Sequence, residues 1–245
     1  MRFFLLLISV FYFSAISAQD SRTNSNTITF YAKDSVVITA DTYFIEGIPP
    51  TVLLCHQAGY SRGEYIDTAK KLNELGFSCM AIDQRSGKGV NGVINQTAID
   101  ADSKLRNVGY AGAKQDVEAA IDFLYNSNGN KPIILVGSSY SASLALWIGS
   151  ENDRIKAVAA FSPGEYLTGT NLTKTIKSIE VPIFVTSSKR EVRPVEKLVS
   201  KIKPDLVTQF KPEVKGFHGS KALWNKNEGH QNYWDAFKAF LLKYK

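Results

Sequence analysis

The stretch "ILVGSSYSASLAL", residues 134–146, predicts how the chain folds. It passes from a β-branched apolar run, typical of a buried strand, directly into a run of helix-forming residues. A serine at such a tight strand-to-helix turn adopts a crowded backbone conformation, so its neighbours two positions away must be small. Gly137 and Ser141 meet that condition on either side of Ser139. The pattern predicts a nucleophile elbow that exposes the Ser139 hydroxyl at the carboxyl end of a strand.

A purely structural interpretation of the same residues also has to be considered. Ser138 or Ser139 can serve as the N-cap of the following helix, as serines do in many α/β proteins. The apolar run before the turn and the helix after it favour the nucleophile over the cap, because they are the context that an elbow requires.

Outside this stretch, buried apolar runs alternate with amphipathic helical segments, which is typical of an α/β protein with a mostly parallel sheet. A pair of strands at the start adds an antiparallel edge. Residues 84–108, rich in Gly, Asn and Asp, are expected to form a long loop. No linker divides the chain, so residues 27–245 are expected to form one domain. The predicted strands are 27–32, 36–46, 51–55, 77–83, 132–137, 155–161, 182–187 and 207–213.

The first residues have the plan of a secretory signal peptide. Residues 1–18 carry one positive charge (Arg2), an apolar run that is short for a bilayer span, and then small residues. We expect cleavage after Ala18, a polar leader over residues 19–26, and export to the periplasm or the medium, with no stable membrane insertion afterwards. An uncleaved anchor is the alternative.

Composition and cysteine spacing exclude several function classes. The formal net charge of +6 is spread along the chain without an interleaved basic and aromatic patch, so nucleic acid is not an expected partner. Cys55 and Cys79 lie in predicted strands and are interpreted as core residues, although an oxidising compartment would permit a disulfide. The absence of a CxxC motif or a Cys/His cluster predicts no metal site.

The loop after the strand at 51–55 offers a place for a developing negative charge. "HQAG", residues 56–59, follows that strand directly, and the N–H of Ala58 is the expected donor to an oxyanion. The N–H of Tyr140, next to Ser139, is the expected second donor. An ordinary strand-end turn is the alternative. His56 is interpreted as an orienting group rather than a base.

Candidates for a base and an acid lie further along the chain. His218 follows the last predicted strand and is preferred to His230, which begins the closing helix. Glu191 is preferred as the acid because it is the carboxylate that follows the strand at 182–187. Glu165, after the preceding strand, is the alternative acid. Glu191 can also be an ordinary surface carboxylate paired with a neighbouring cation.

On these residues the chain resembles the α/β-hydrolases, nearest to the dienelactone-hydrolase-like branch, over roughly residues 27–245. The resemblance rests on the chain order Ser139, Glu191, His218 and on "HQAG" (56–59), "DQRSGKG" (83–89) and "HGSKAL" (218–223). It implies an α/β-hydrolase fold, a mostly parallel eight-stranded sheet with helices on both faces. Dienelactone hydrolases proper use a cysteine where this chain has Ser139. Gln57 and Ser141 also replace glycines of the family pattern.

The predicted reaction is cleavage of a small-molecule carboxylic ester through an acyl-enzyme, without metal or organic cofactor. Short connections leave no sizeable cap domain, so the pocket is expected to be shallow and open. Gln57, Tyr60 and Arg62 are candidate substrate-binding residues. Arg62 or Arg85 can recognise an acidic group, but pairing as Arg62–Glu64 or Arg85–Asp83 is favoured. Two alternatives remain, a peptidase or amidase on the same fold and a non-catalytic binding protein with a degenerate triad. The oligomeric state is not predicted.

Overall fold

A computed structural model describes residues 25–245, so the predicted signal peptide and most of the predicted leader lie outside the described residues. The strands of the described part are β1 Asn26–Tyr31, β2 Val37–Tyr43, β3 Thr51–Cys55, β4 Ser78–Ile82, β5 Gly89–Val90, β6 Val93–Ile94, β7 Ile133–Ser138, β8 Ile155–Phe161, β9 Ile183–Thr186 and β10 Val207–Phe210. The α-helices are α1 Ile66–Glu74, α2 Gln96–Ser103, α3 Lys114–Ser127, α4 Tyr140–Gly149, α5 Leu172–Thr175, α6 Val192–Val199 and α7 His230–Leu241.

Eight of these strands form one sheet, in the spatial order β1-β2-β4-β3-β7-β8-β9-β10. β1 and β2 pair antiparallel, and β2 also runs antiparallel to β4. Every other neighbouring pair in the sheet is parallel. The predicted mostly parallel eight-stranded sheet with an antiparallel edge is therefore confirmed. The parallel strands point their carboxyl ends to one edge, where the loops that they feed meet.

Two apolar cores lie on opposite faces of the sheet, because side chains alternate along each strand. Leu53 and Cys55 of β3 belong to the core that α3, α4 and α6 cover. Val52 and Leu54 of the same strand belong to the core that α1 and α7 cover. A strand buried on both faces must be apolar at every position, which is why these strands read as continuous apolar runs. Helices on both faces are thus confirmed.

The two cysteines are free, buried thiols, as the core interpretation predicted. Cys55 faces one core and Cys79 of β4 faces the other. The sheet lies between the two side chains, so they cannot form a disulfide within this fold. Burial raises the pKa of both thiols, which makes them unreactive core residues.

The predicted loop at 84–108 is wrong in part, because this segment contains the β5/β6 hairpin and helix α2. Asn91 and Gly92 join the two short strands with φ angles of 51° and 78°, as a tight hairpin turn of the Asn-Gly type requires. Asn95 then caps α2, since its side-chain oxygen accepts a hydrogen bond from the N–H of Ala98 at 2.7 Å. Asn and Gly here build turns and caps rather than a structureless loop.

Within residues 25–245, no helix has the length and apolar character needed to cross a bilayer. The link between β8 and β9 contains only α5 and one short 3₁₀ turn, Ile176–Ser178. The described part of the chain therefore contains no sizeable cap domain over the carboxyl edge of the sheet, in agreement with the sequence.

Candidate active site

Ser139 lies at the turn between β7 and α4, with φ of 60° and ψ of −121°. This region of backbone conformation is costly for a residue with a side chain, and such strain is concentrated at functional sites. The Ser139 side chain makes no capping hydrogen bond to α4. Ser138 is also not a cap, because its hydroxyl bonds to Glu64 at 2.8 Å. The capping interpretation is therefore wrong, and the elbow accounts for the turn.

The elbow is possible because the two residues that lie two positions from Ser139 are small enough for the close contacts that they make. A Cβ added to Gly137 would lie 2.2 Å from the carbonyl oxygen of Ser141 and 2.6 Å from the amide nitrogen of Ala142. Ser141 is small enough for its place, and its hydroxyl donates to the carbonyl oxygen of His56 at 2.5 Å. The serine that replaces the family's glycine thus ties the elbow to the end of β3.

Replacement of Gly137 by alanine is expected to lower the free energy of unfolding by about 3 kcal/mol or more, because the new methyl group collides with backbone that cannot move aside. Chemical denaturation of Gly137→Ala measures the loss. Gly47→Ala is the matched control: it has a positive φ of 87° but nothing within 4 Å of the added Cβ. That control is expected to lose only about 1 kcal/mol, from backbone strain alone. Equal losses in the two variants would contradict the packing explanation.

His218 lies next to Ser139, supplied by the loop that follows β10. Its Nε2 is 2.7 Å from Oγ of Ser139. The loop passes so close to the elbow that a Cβ on Gly219 would be 2.5 Å from the hydroxyl oxygen of Ser138. Gly219 also has a φ of 74°, so glycine is required at this position. The side chain of His218 remains 36% exposed, open to a ligand from solution.

Glu191 completes the row of three side chains. Its Oε1 lies 2.5 Å from Nδ1 of His218. Its Oε2 accepts hydrogen bonds from Ser162 Oγ at 3.0 Å, from Ser188 Oγ at 2.6 Å and from the N–H of Ser188 at 3.1 Å. Burial alone would raise the pKa of Glu191, but the bonds from His218 and Ser188 and the histidine charge outweigh it and lower the pKa to about 2. Glu191 is therefore a carboxylate at neutral pH.

The alternative acid, Glu165, has a different place. Its carboxylate accepts from the N–H of Leu172 at 2.7 Å and from the N–H of Thr173 at 2.9 Å. These bonds anchor the start of α5 and lower the pKa of Glu165 against the effect of burial. The geometry of the site therefore favours Glu191 over Glu165.

The N–H groups of Ala58 and Tyr140 are the predicted donors to an oxyanion. Ala58 is in the loop after β3, and Tyr140 is the first residue of α4, where a helix leaves its N–H groups without intrahelical partners. Within residues 25–245 neither N–H donates a hydrogen bond, whereas Gln57 and Gly59 on either side of Ala58 both do. Both groups are therefore free to bind an external acceptor.

The loop that carries Ala58 is held from beneath by a buried polar network. His56 is fully buried; its Nδ1 contacts the carbonyl oxygen of Gln57 at 2.8 Å, and its Nε2 accepts from the N–H of Gln84 at 2.9 Å. Asn95 adds a bond to the carbonyl oxygen of Tyr60 at 3.1 Å. Burial lowers the pKa of His56 to about 4, so the ring is neutral at pH 7. His56 orients the loop and is not placed to act as a base.

The three candidate substrate-binding residues differ in what they can reach. Gln57 is 8% exposed, and its Oε1 is buried without a hydrogen-bond partner among residues 25–245. Tyr60 is half-buried and stacks on Trp224, with ring centroids 6.2 Å apart. Arg62 is bound to the chain itself, at 2.7 Å from Asp83 and at 2.9 Å from Asp41. An arginine held by two carboxylates does not favour recognition of an acidic substrate.

The favoured interpretation of the two arginines as structural residues agrees with the contacts, but both predicted partners were wrong. Arg85 is 1% exposed and pairs with Asp116 at 2.6 Å and with Asp34 at 2.8 Å, rather than with Asp83. Asp83 instead pairs with Arg62. The partners of Arg62 and Arg85 lie 21 to 51 residues away along the chain, which spacing alone does not predict.

Aromatic side chains border the Ser139–His218 pair. Tyr166 lies edge-on to His218, with ring centroids 6.5 Å apart. Tyr110 is 40% exposed and stacks on Tyr140 at 4.5 Å. The predicted shallow, open pocket stays a prediction.

Sequence reasoning missed two serines that hold Glu191. Ser162 has a φ of 56°, is 1% exposed, and its oxygen also accepts the N–H of Gly219 at 3.0 Å. Ser188 and Glu191 form a capping box at the start of a 3₁₀ turn. The spacing Ser-x-x-Glu in "SKRE" was a readable signal for that box. Ser162 left no comparable signal, because its bond to Glu191 spans 29 residues.

The fold and the elbow define an α/β-hydrolase. The family described as serine aminopeptidase, S33, matches residues 49–227, and the chain belongs to this family of hydrolases. No curated protein matches the chain in sequence.

Solved structures share the fold. An esterase of Pyrococcus furiosus has a TM-score of 0.67 and 19% identity, with 89% of this chain and 90% of that chain covered. The dienelactone hydrolase of Anabaena variabilis has a TM-score of 0.68 and 13% identity, with coverage of 90% and 97%. A thioesterase domain from the curacin biosynthetic pathway has a TM-score of 0.64 and 12% identity, with coverage of 90% and 99%. The resemblance to the α/β-hydrolases is thus confirmed, and the chain shares its fold with dienelactone hydrolases.

Proposed function

We propose that the chain is a serine hydrolase that cleaves a small-molecule carboxylic ester through an acyl-enzyme intermediate. The observation that carries this proposal is the row of hydrogen bonds from Ser139 Oγ to His218 Nε2 at 2.7 Å and from His218 Nδ1 to Glu191 at 2.5 Å. A nucleophile, a base and an orienting acid in this order are the requirement for acyl transfer.

In the first half-reaction, Ser139 Oγ attacks the acyl carbonyl carbon and passes its proton to His218 Nε2. The carbonyl oxygen becomes an oxyanion, to which the free N–H groups of Ala58 and Tyr140 donate. Two fixed donors aimed at a developing charge lower the barrier by several kcal/mol. Glu191, ionised because of its lowered pKa, accepts from Nδ1–H and stabilises the imidazolium. His218 then protonates the leaving alcohol oxygen, and the acyl group stays on Ser139.

In the second half-reaction, water gives a proton to His218 Nε2 and its oxygen attacks the acyl carbon. The tetrahedral intermediate uses the same two N–H donors, and collapse returns the proton from His218 to Ser139. The carboxylic acid leaves, and no metal or organic cofactor takes part in any step. Among the described residues there is also no group of three or more His, Cys, Asp or Glu side chains suited to hold a metal ion.

An aminopeptidase is the second candidate, because the matched family carries that description. Such an enzyme needs an anionic side chain to hold the α-ammonium group of its substrate. Glu64, Glu165 and Glu191, which lie on loops at the carboxyl edge of the sheet, are each occupied by hydrogen bonds within this chain. The chemistry of these carboxylates therefore favours ester cleavage over aminopeptidase activity.

The test compares an ester and an amide with closely related leaving groups, p-nitrophenyl acetate and p-nitroacetanilide, together with labelling by a fluorophosphonate. We expect turnover of the ester, little turnover of the anilide, and one label, on Ser139. Faster turnover of the anilide would favour the amidase. Because this anilide has no α-ammonium group, the aminopeptidase is tested with alanine p-nitroanilide, and faster turnover of that substrate than of the ester would favour it. The absence of both turnover and labelling would favour the non-catalytic binding protein.

We also propose that the protein is exported, on the strength of the sequence of residues 1–18 alone. Expression of the full chain in a bacterial host, followed by fractionation and intact-mass measurement, tests this. We expect an exported product that begins at Gln19. A full-length product in the membrane fraction would support the uncleaved anchor instead.

A further inference from the structure

Glu64 is a buried carboxylate that the reaction described above does not use. It is 1% exposed and lies in the 3₁₀ turn Arg62–Tyr65, just before α1. Its Oε2 accepts the N–H of Gln57 at 2.7 Å. Its Oε1 accepts the hydroxyl of Ser138 at 2.8 Å and the hydroxyl of Ser220 at 2.6 Å. Three donors from three separate parts of the chain thus meet on one carboxylate.

Each of these three donors is close in sequence to a group that the proposed reaction needs. Gln57 directly precedes Ala58, Ser138 directly precedes Ser139, and Ser220 follows His218 by two residues. The partners of Glu64 lie 7, 74 and 156 residues away along the chain. The carboxylate is therefore the common anchor of the loop after β3 that carries Ala58 (the oxyanion loop), the elbow at Ser139 and the loop after β10 that carries His218 (the histidine loop).

Two further bonds strengthen this junction. The N–H of Ser220 donates to Ser138 Oγ at 2.8 Å, so the elbow and the histidine loop also bind each other directly. The indole N–H of Trp224 donates to the carbonyl oxygen of Glu64 at 3.0 Å. The elbow and the histidine loop are therefore each held by more than one hydrogen bond at this junction.

Glu64 is not part of an ion pair, although the sequence suggested Arg62 as a partner. Within residues 25–245 no lysine or arginine nitrogen lies within 4.0 Å of its carboxylate, and Arg62 pairs with Asp83 and Asp41. Burial raises the pKa of Glu64, and the bonds from Ser220, Gln57 and Ser138 oppose that rise. An unpaired buried carboxylate costs more stability than an apolar side chain of similar volume. A stability role alone does not account for an ionisable group at this position.

We infer that Glu64 is a positioning residue for the proposed reaction, whose carboxylate fixes Ala58, Ser139 and His218 relative to one another. This inference rests on the proposed function. Its physical basis is that catalysis requires the nucleophile, the base and the oxyanion donors to be held within a fraction of an ångström of their working geometry. Glu64 supplies that rigidity without touching the substrate.

The test uses Glu64→Gln, which keeps the shape of the side chain but replaces one acceptor oxygen by an NH₂ group. In either orientation of the amide, that group faces the N–H of Gln57 or the hydroxyls of Ser138 and Ser220, and it cannot accept a hydrogen bond from them. With p-nitrophenyl acetate we expect kcat to fall about 100-fold, the effect of a misplacement of about 1 Å. We expect KM to change less than about threefold, because substrate binding does not involve Glu64. Ser220→Ala, which removes one of the three bonds, is the milder variant, with an expected fall in kcat of about tenfold.

Glu180→Gln is the matched control, since Glu180 is exposed and its substitution removes the same charge. It is expected to keep the kcat and KM of the unaltered protein. The folded fraction of each variant is measured by circular dichroism and thermal unfolding, so that kcat refers to folded protein. If Glu64→Gln does not fold, Ser220→Ala carries the test.

The outcomes separate the two proposals. If the unaltered protein turns over the ester and labels at Ser139, but folded Glu64→Gln or Ser220→Ala keeps kcat within twofold, the positioning role is overturned and the proposed function stands. A rise in KM at unchanged kcat also overturns the positioning role. If the unaltered protein neither labels nor turns over the ester, the proposed function fails, and the inference fails with it.

Discussion

The variant Ser139→Ala is expected to lose ester turnover by about 10⁵-fold in kcat and to lose all labelling by the fluorophosphonate. The reason is that the attacking oxygen is removed, whereas His218, Glu191 and the two N–H donors stay in place. Stabilisation of the oxyanion and substrate binding persist, which leaves a small residual rate above that in water. We expect the free energy of unfolding to fall by at most about 1 kcal/mol, because the bond that is lost joins Ser139 to the partly exposed His218 and the side chain makes no bond to α4. Steady-state kinetics, intact-mass analysis and chemical denaturation measure the three quantities.

Ser150→Ala is the matched control for this variant. Ser150 lies at the other end of α4, and its hydroxyl donates only within the helix terminus, to the carbonyl oxygen of Trp147 at 2.7 Å. It is expected to keep full activity and full labelling. Labelling of Ser139→Ala, or retention of more than about one hundredth of kcat, would show that another residue is the nucleophile.

The features that the sequence predicted well are those whose physical cause is local. A strand between two layers of helices must be apolar at every position, so β3, β7 and β8 can be identified from short apolar runs. The elbow is equally local, because the φ of Ser139 and the contacts that exclude a side chain at Gly137 involve only residues within three positions of Ser139. The order of Ser139, Glu191 and His218 could be predicted because each follows a strand of the same parallel sheet.

The features that could not be predicted depend on contacts between distant parts of the chain. Glu64 looked like a partner for the nearby Arg62, yet it binds Ser220, which is 156 residues away. Arg62 instead pairs with Asp83, and Ser162 supports Glu191 from another loop. No spacing rule predicts such pairs, since they form only where strand ends converge.

A third group was readable in the sequence but was misinterpreted. The Asn91-Gly92 turn and the Asn95 cap are local signals, and both are present in the segment that was expected to be a loop. The same asparagine, Asn95, also donates to the carbonyl oxygens of Gln84 and Tyr60. Residues 84–108 therefore support the oxyanion loop through Asn95. The residue that caps α2 thus also contributes to the geometry of the site.

The second large effect is expected for Glu191→Gln, with a fall in kcat of about 10³-fold to 10⁴-fold and little change in KM. Glutamine has no charge to stabilise the imidazolium, and its NH₂ group can turn toward Nδ1 and favour the wrong tautomer of His218.

The stability of the unaltered protein also depends on the Glu191 carboxylate. Because the pKa of Glu191 is lowered in the folded state to about 2 from the ordinary value of 4.5, its contribution is complete above about pH 4.5 and is lost as the pH falls toward 2.

Glu165→Gln decides between the two candidate acids, because it removes the same charge from the other glutamate. Its carboxylate binds Leu172 and Thr173 rather than His218, so we expect kcat to stay within about threefold and only the anchoring of α5 to weaken. The free energy of unfolding, measured by chemical denaturation between pH 2 and pH 5, should depend less steeply on pH for Glu191→Gln than for the unaltered protein. The reason is that the variant lacks one titrating group. A large loss of kcat in Glu165→Gln with normal activity in Glu191→Gln would reverse the assignment. Parallel losses in both would mean that the loop of Glu165 contributes to the geometry of the site.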